Sequence, residues 1–380
     1  MMGVFGTIDL TDWPFWLCVL AALLIQPIQI NNFCRRLTLA VVNLGFVTWL
    51  LGTTVWLPVS LVTVIWLIAR SFAASDRVRR AGRIAAVVVL AILLIDYRLQ
   101  PVALKIFPAL AAIGFAYVSL RSIELLRGCW EDQQAASLID CVNYLIPFHM
   151  LAAGPIEHWR DFLQHDQRTT INAEQTLYAL ERIANGVFKK FVLAYAINEV
   201  FLTGFQTSGY LYVIEVQAFY IWLFLDFSGY SDVAVGVGTL IGVHTPENFS
   251  RPYLARNMVD FWDRWHITLS LFLRRNIFVP LQLNMLRLTN GKSTVWVSVF
   301  VFFVTFAISA AWHSVTPGFL VWGFTHAVGV SVVVCYRHVL KKRLGTMRFK
   351  SYQKQPIVRF CAIVLTFQYV AWTLTAIVTL

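Results

Sequence analysis

The chain has 380 residues and a net charge of +11, with 58% of its residues hydrophobic and only 13% charged. Soluble globular proteins carry about 25% charged residues. This composition excludes a soluble enzyme or binding module and points to an all-α polytopic membrane protein.

In chain order, apolar runs of span-like length fall at 13–30, 38–53, 55–69, 84–96, 102–120, 138–153, 187–203, 211–225, 295–312, 319–335 and 357–380. Several are shorter than the ~20 residues a helix needs to cross hydrocarbon. Such runs predict tilted, re-entrant or broken elements, tolerated where protein or a water-filled cavity covers their backbone. With the interrupted segments 233–243 and 265–283, about ten to twelve membrane elements are expected. Asp9 and Asp12 are the only charged side chains before the first run. With no basic stretch ahead of it, that run is expected to stay as an anchor rather than be cleaved as a signal peptide.

The positive charge is clustered. One group is Arg70, Arg77, Arg79, Arg80 and Arg83; the other runs from Arg337 through Lys341, Lys342, Arg343, Arg348, Lys350 and Lys354 to Arg359. Basic loops beside apolar spans mark the cytoplasmic side and attract anionic lipid. Loops 70–83 and 336–355 are therefore expected inside, with Arg35 and Arg36, and the N-terminus outside. No nucleic-acid partner is expected. The turn at 314–318 then faces outward. The six cysteines (Cys18, Cys34, Cys129, Cys141, Cys335 and Cys361) include no CxxC pair. They predict neither a disulfide framework nor a zinc site, and no metal or tightly bound cofactor is expected.

The chain reads as one integral-membrane domain, 1–380. Residues 1–137 form scaffold spans, 138–335 a core rich in embedded polar residues, and 336–380 a basic loop and final span. Segment 154–186 is polar, a loop leading into an amphipathic helix from about Ala173. Asn172 is placed to cap it, with Glu174 in its first turn.

Three strings carry chemistry: DFSGYSDVAVGVG at 226–238, PENFSRPYLARNMVDFWDRWHITLSLFLRR at 246–275 and AAWHSVTPGFLVWG at 310–323. If the second is helical, Asp263, His266, Ser270 and Arg274 share a face. Asp263 would then fix the tautomer of His266, flanked by Trp262 and Trp265. Thr305, Ser309 and His313 form a similar stripe, set among Ala307, Ala310 and Ala311, which allow close helix approach. An ionisable group at that depth costs roughly 2.5 kcal/mol or more. His313 is thus either a functional group or a histidine hydrogen-bonded inside the bundle. His326 either helps shape the same site or packs structurally. Asp226 and Asp232 lie on different helix faces, which favours structural hydrogen bonding over a paired acid/base site.

No GxSxG elbow, P-loop or HExxH is present. What remains is two membrane-embedded imidazoles and no nucleophile. A neutral imidazole can deprotonate a hydroxyl, worth roughly 10²–10⁴ in rate. Transfer of an acyl group to an alcohol suits that equipment.

These strings resemble the membrane-bound O-acyltransferase family, in its bacterial branch of alginate O-acetylases and teichoic acid D-alanyl transferases. The matching residues are DFSGYSD (226–232), PENF (246–249), DFWDRWHITLS (260–270), Trp312-His313, Trp322-Gly323 with His326, and AGPIEHWRDF (153–162). The resemblance covers roughly 140–330. It implies catalytic roles for His313 and His266 and many helices around a central tunnel. A thioester donor, acetyl-CoA or an acyl-carrier protein, would enter from the cytoplasm. A glycan or cell-envelope polymer hydroxyl would approach from outside, with an accessory extracytoplasmic transfer protein as a further partner. Asp263, Ser270, Trp265, Trp312, Ser309, Asn248 and Asp232 would support the site. The chain departs from the family at RRNIFVPLQL (274–283), where an acidic residue and a glycine pair are replaced, and at Ser314, which stands for a glycine.

The reading is an O-acyltransferase of a bacterial plasma membrane, moving an acyl group, acetyl first, from a thioester to an extracytoplasmic hydroxyl. Two alternatives use the same residues differently: a transporter or flippase, and a non-catalytic partner of an extracytoplasmic enzyme.

Overall fold

The computed structural model describes residues 10, 12–25, 31–98, 114–165, 171–204, 209–292 and 294–379. Asp9 and most of the apolar run at 102–120 lie outside them. Among the described residues the regular elements are helical, save one isolated antiparallel bridge between Phe249 and Trp265. Five helical stretches are long and apolar enough to cross a membrane: Asn32–Ser71, Leu211–Leu240, Thr294–His313, Pro317–Lys354 and Pro356–Thr379. Shorter apolar helices accompany them, as an all-α polytopic membrane protein requires.

The chain forms two compact units. The first holds Met1–Val187 and Tyr230–Pro246. Its helices are α1 (Trp13–Ile25), α2 (Asn32–Leu51), α3 (Trp56–Ser71), α4 (Asp76–Arg98), α5 (Phe115–Asp132), α6 (Leu138–Leu145), α7 (Trp159–His165) and α8 (Ala173–Val187). Gly52, at φ 53°, separates α2 from α3 with a backbone conformation that a Cβ would oppose. Several buried polar groups in this unit are paired, as burial in an apolar medium favours. Asn43 accepts from Phe148 N at 2.9 Å and donates to Asn143 at 3.0 Å, tying α2 to α6 and the turn after it. Arg35, 2% exposed, donates to the Gly242 carbonyl. The predicted cap of α8 is present and reciprocal. Asn172 Oδ1 accepts from Gln175 N, and Gln175 Oε1 accepts from Asn172 N, a capping box that satisfies two otherwise orphaned donors.

The second unit holds Phe188–Gly229 and Glu247–Leu380. The chain leaves α8 through π-helical turns at Phe188–Ala194 and Asn198–Leu202, then enters the 31-residue α9 (Tyr210–Leu240), which runs through both units. There follow α10 (Met258–Trp262), α11 (Ile267–Leu273), α12 (Val279–Leu288), α13 (Thr294–His313), α14 (Pro317–Lys354) and α15 (Pro356–Thr379). Gly323 lets α14 approach α13: a Cβ there would sit 2.7 Å from Ala310 Cβ and 2.8 Å from Phe306 O. Gly318 does the same against α15, where a Cβ would meet Ala376 O at 2.3 Å. Close contact through small residues is how helices associate in lipid, where hydrophobicity gives no net drive. Gly345, at φ 74°, bends α14 within its basic C-terminal part.

Candidate active site

A continuous helix from Asp263 to Arg274 is not formed, so Asp263, His266, Ser270 and Arg274 do not share one helical face. Asn257 caps α10, accepting from Asp260 N, and the helix ends at Trp262. His266 is left-handed, at φ 44° and ψ 54°, and α11 starts just after it. That conformation costs a residue with a Cβ roughly 1–2 kcal/mol. A short antiparallel pairing holds it in place: Ser250 N donates to Arg264 O at 2.9 Å, and Ile267 N to Asn248 O at 3.0 Å. The PENF segment is thereby clamped against the histidine segment. Trp265 is buried, stacked on Phe261 at 5.6 Å and set edge-on to Phe249 at 5.1 Å.

This clamp replaces the expected partner of His266. Its Nδ1 meets Asn248 Oδ1 at 3.0 Å, not the Asp263 carboxylate. The same Asn248 atom lies 3.3 Å from Thr268 N and 2.9 Å from Thr268 Oγ1. A backbone N–H can only donate, so the atom it meets is the amide oxygen. His266 Nδ1 therefore donates, and in the neutral ring Nε2 carries the lone pair. The ring is 3% exposed and packs edge-on against Phe227 at 4.8 Å. Ser270 sits in the first turn of α11, its N–H donating to His266 O. Arg274 opens the π-helical turn Arg274–Phe278. Asp263 instead lines a cavity of about 880 Å³ between α10, α14 and α15, together with Arg256, Arg337 and Arg359. At its α10 edge, burial would raise the Asp260 carboxyl. Hydrogen bonds from Arg264 and Arg256 outweigh that and hold it below the usual carboxylate range.

His313 is the last residue of α13, and the Thr305–Ser309–His313 stripe is helical as expected. Thr305, Ser309 and Trp312 are buried. The His313 ring stacks on Phe319 at 5.5 Å and 14°, with Trp312 at 4.5 Å and Trp322 at 5.4 Å. Three residues separate His313 from Pro317, which begins α14.

Around these rings lies a set of buried polar atoms without protein partners: Trp262 Nε1, Trp322 Nε1, Ser309 Oγ and His326 Nδ1. Trp322 lies 4.9 Å from His326 and 6.0 Å from Trp262, ring to ring. Thr373 Oγ1 lies 3.0 Å from both His326 Nε2 and Val370 O, and His326 Nδ1 is left unmet. Each such orphan costs about 1–3 kcal/mol unless a polar atom meets it. Two indole donors, a hydroxyl and an imidazole nitrogen near His313 suit a polar reactant. His326 was legible in the sequence as a site candidate. Thr373, an ordinary threonine in the final span, was not.

The two aspartates of the first string are held apart by cations. Asp226 pairs with Lys190 in the second unit. Asp232 pairs with Arg182 of α8 in the first.

Comparison with known proteins bears on the family. The model of the MBOAT, membrane-bound O-acyltransferase family, matches residues 5–371. A teichoic acid D-alanyltransferase of Bacillus subtilis (strain 168) is 28% identical over 269 residues, covering 68% of this chain and 67% of that protein. A peptidoglycan O-acetyltransferase of Helicobacter pylori is 32% identical over 216 residues, 55% of this chain and 40% of that protein. A protein named "Probable alginate O-acetylase AlgI" from Pseudomonas fluorescens is 29% identical over 229 residues, 59% of this chain and 45% of that protein. The chain thus spans two thirds of the first of these relatives and less than half of the other two. With the family pattern running through nearly its whole length, the chain belongs to the membrane-bound O-acyltransferase family.

Proposed function

We propose that this protein transfers an acyl group, acetyl first, from a thioester donor to a hydroxyl of an extracytoplasmic glycan or cell-envelope polymer. Its relatives are named for D-alanylation of teichoic acid and O-acetylation of peptidoglycan and alginate. The observation that carries the reading is the orphaned polar set beside His313, a buried polar locus with an imidazole at its edge.

In this reading His313 is the general base. It takes the proton of the acceptor hydroxyl as the oxygen attacks the thioester carbonyl; the C–O bond forms, the C–S bond breaks, and the proton passes to the departing thiolate. His266 offers its Nε2 to position or polarise a reactant, with Asn248 fixing the tautomer. Attack is direct, since no side chain at this locus is an activated nucleophile. The cavity lined by Asp263, Arg256, Arg337 and Arg359 is assigned to the donor. Its three guanidinium groups suit the phosphates of coenzyme A or of a carrier protein's pantetheine arm, and two of them belong to the basic segment read as cytoplasmic. The localisation that goes with it is a bacterial plasma membrane.

Mass spectrometry of envelope glycans from cells with wild-type protein, with His313→Ala or with neither tests this. An ester-linked acyl mass should appear with the wild type. It should fall by roughly 10²-fold or more in His313→Ala at equal membrane abundance. Retention of more than about a tenth of the signal contradicts the general-base role. Full retention after loss of both histidines makes the chain a non-catalytic partner.

A further inference from the structure

Outside the candidate active site, the fold gathers three side chains that no sequence motif joins. Glu157 lies two residues before α7, His165 is its last residue, and His244 follows the end of α9. All belong to the first unit. Their ligand atoms lie within 4.8 Å of one another. Glu157 Oε1 is 2.6 Å from His244 Nδ1 and 3.8 Å from His165 Nδ1. The two imidazoles stack at 4.0 Å and 15°.

We propose that Glu157, His165 and His244 form a site for a divalent transition metal of the zinc class, with the fourth position open to water. Two imidazoles and a carboxylate are a donor set that suits zinc, and bonds of about 2.0–2.2 Å place tetrahedral ligand atoms ~3.4 Å apart. The widest separation here must close by about 1.4 Å to reach that spacing. The histidine side chains, 37% and 35% exposed, have room to rotate, while Glu157 is 4% exposed and fixed. Tyr144 donates to the Glu157 carbonyl at 2.6 Å and anchors that segment. His165 Nδ1 donates to Asp161 O at 2.8 Å, which leaves Nε2 with its lone pair. The cysteine spacing pointed away from any metal, and this site uses none of the cysteines. It clips the end of α7 to the segment after α9, independently of acyl transfer.

The test uses full-length protein in detergent, free of any oligohistidine tag, stripped with chelator and titrated with Zn²⁺ by calorimetry. About one Zn²⁺ should bind per chain, and His165→Ala or Glu157→Gln should weaken it by more than about 100-fold. His158→Ala should leave affinity unchanged, because that ring faces Glu124 and Asp161 instead. Wild-type protein that binds no Zn²⁺, or that loses it equally in His158→Ala, overturns the assignment. Zn K-edge absorption of the wild type needs no variant: two imidazole nitrogens and a carboxylate oxygen are expected, and any other ligand set overturns it.

Discussion

Replacing Asn248 tests how His266 is held. Its Oδ1 accepts from His266 Nδ1, Thr268 N and Thr268 Oγ1. In Asn248→Ala the Thr268 hydroxyl can turn to another acceptor, but the ring N–H and the backbone N–H cannot. Two buried donors left unmet cost about 2–6 kcal/mol together. Removal of Asn248 Nδ2, itself buried without a partner, returns about 1–2 kcal/mol. The net expectation is a loss of roughly 1–4 kcal/mol, together with a His266 ring free to change tautomer. Activity should fall by about 10²-fold or more. Asn248→Asp keeps an accepting oxygen but buries a carboxylate at a fully buried position, so it should still hold the His266 ring N–H while losing stability. Asp263→Asn should leave the His266 tautomer untouched. Melting in detergent reads stability, and ester-linked acyl mass on envelope glycans reads activity. Wild-type melting and rate in Asn248→Ala would refute this account of His266.

Two further substitutions address packing and charge. Gly323→Ala forces a Cβ against Ala310 and the Phe306 carbonyl and should cost about 1–3 kcal/mol; a variant that melts like the wild type would show that α13 and α14 are less tightly packed. Lys190→Met strands the Asp226 carboxylate, whose pair is about one-fifth exposed. The expected cost is about 1–3 kcal/mol, below the 3–5 of a fully buried pair. Adding Asp226→Asn should restore most of the stability and preserve activity, and an inactive but stable double variant would assign Asp226 to the chemistry instead.

The membrane class, the helical character of 294–313, the cap at Asn172 and the three chemistry-bearing strings were legible because each rests on local pattern: hydropathy, four-residue spacing, side-chain-to-backbone reach. The break at 263–266 was not. DFWDRWHITLS has good helical periodicity, and nothing local in it announces a left-handed histidine. That conformation is imposed by PENF, which pairs with the backbone on either side of Trp265. The expected Asp263–His266 pair failed for the same reason, since one turn of helix separates them only if the helix exists.

Sequence by itself determined the solvent this protein lives in, its family, and which two histidines to watch, since these depend on composition and on strings read in order. Tertiary structure alone decided which atoms meet. The amide that orients His266 lies 18 residues away, the threonine that pairs with His326 lies 47 residues on, and the Glu157–His244 pair closes across 87 residues. Hydrogen bonds reach about 3 Å, and only the path of the chain through space brings partners so distant in sequence within that range.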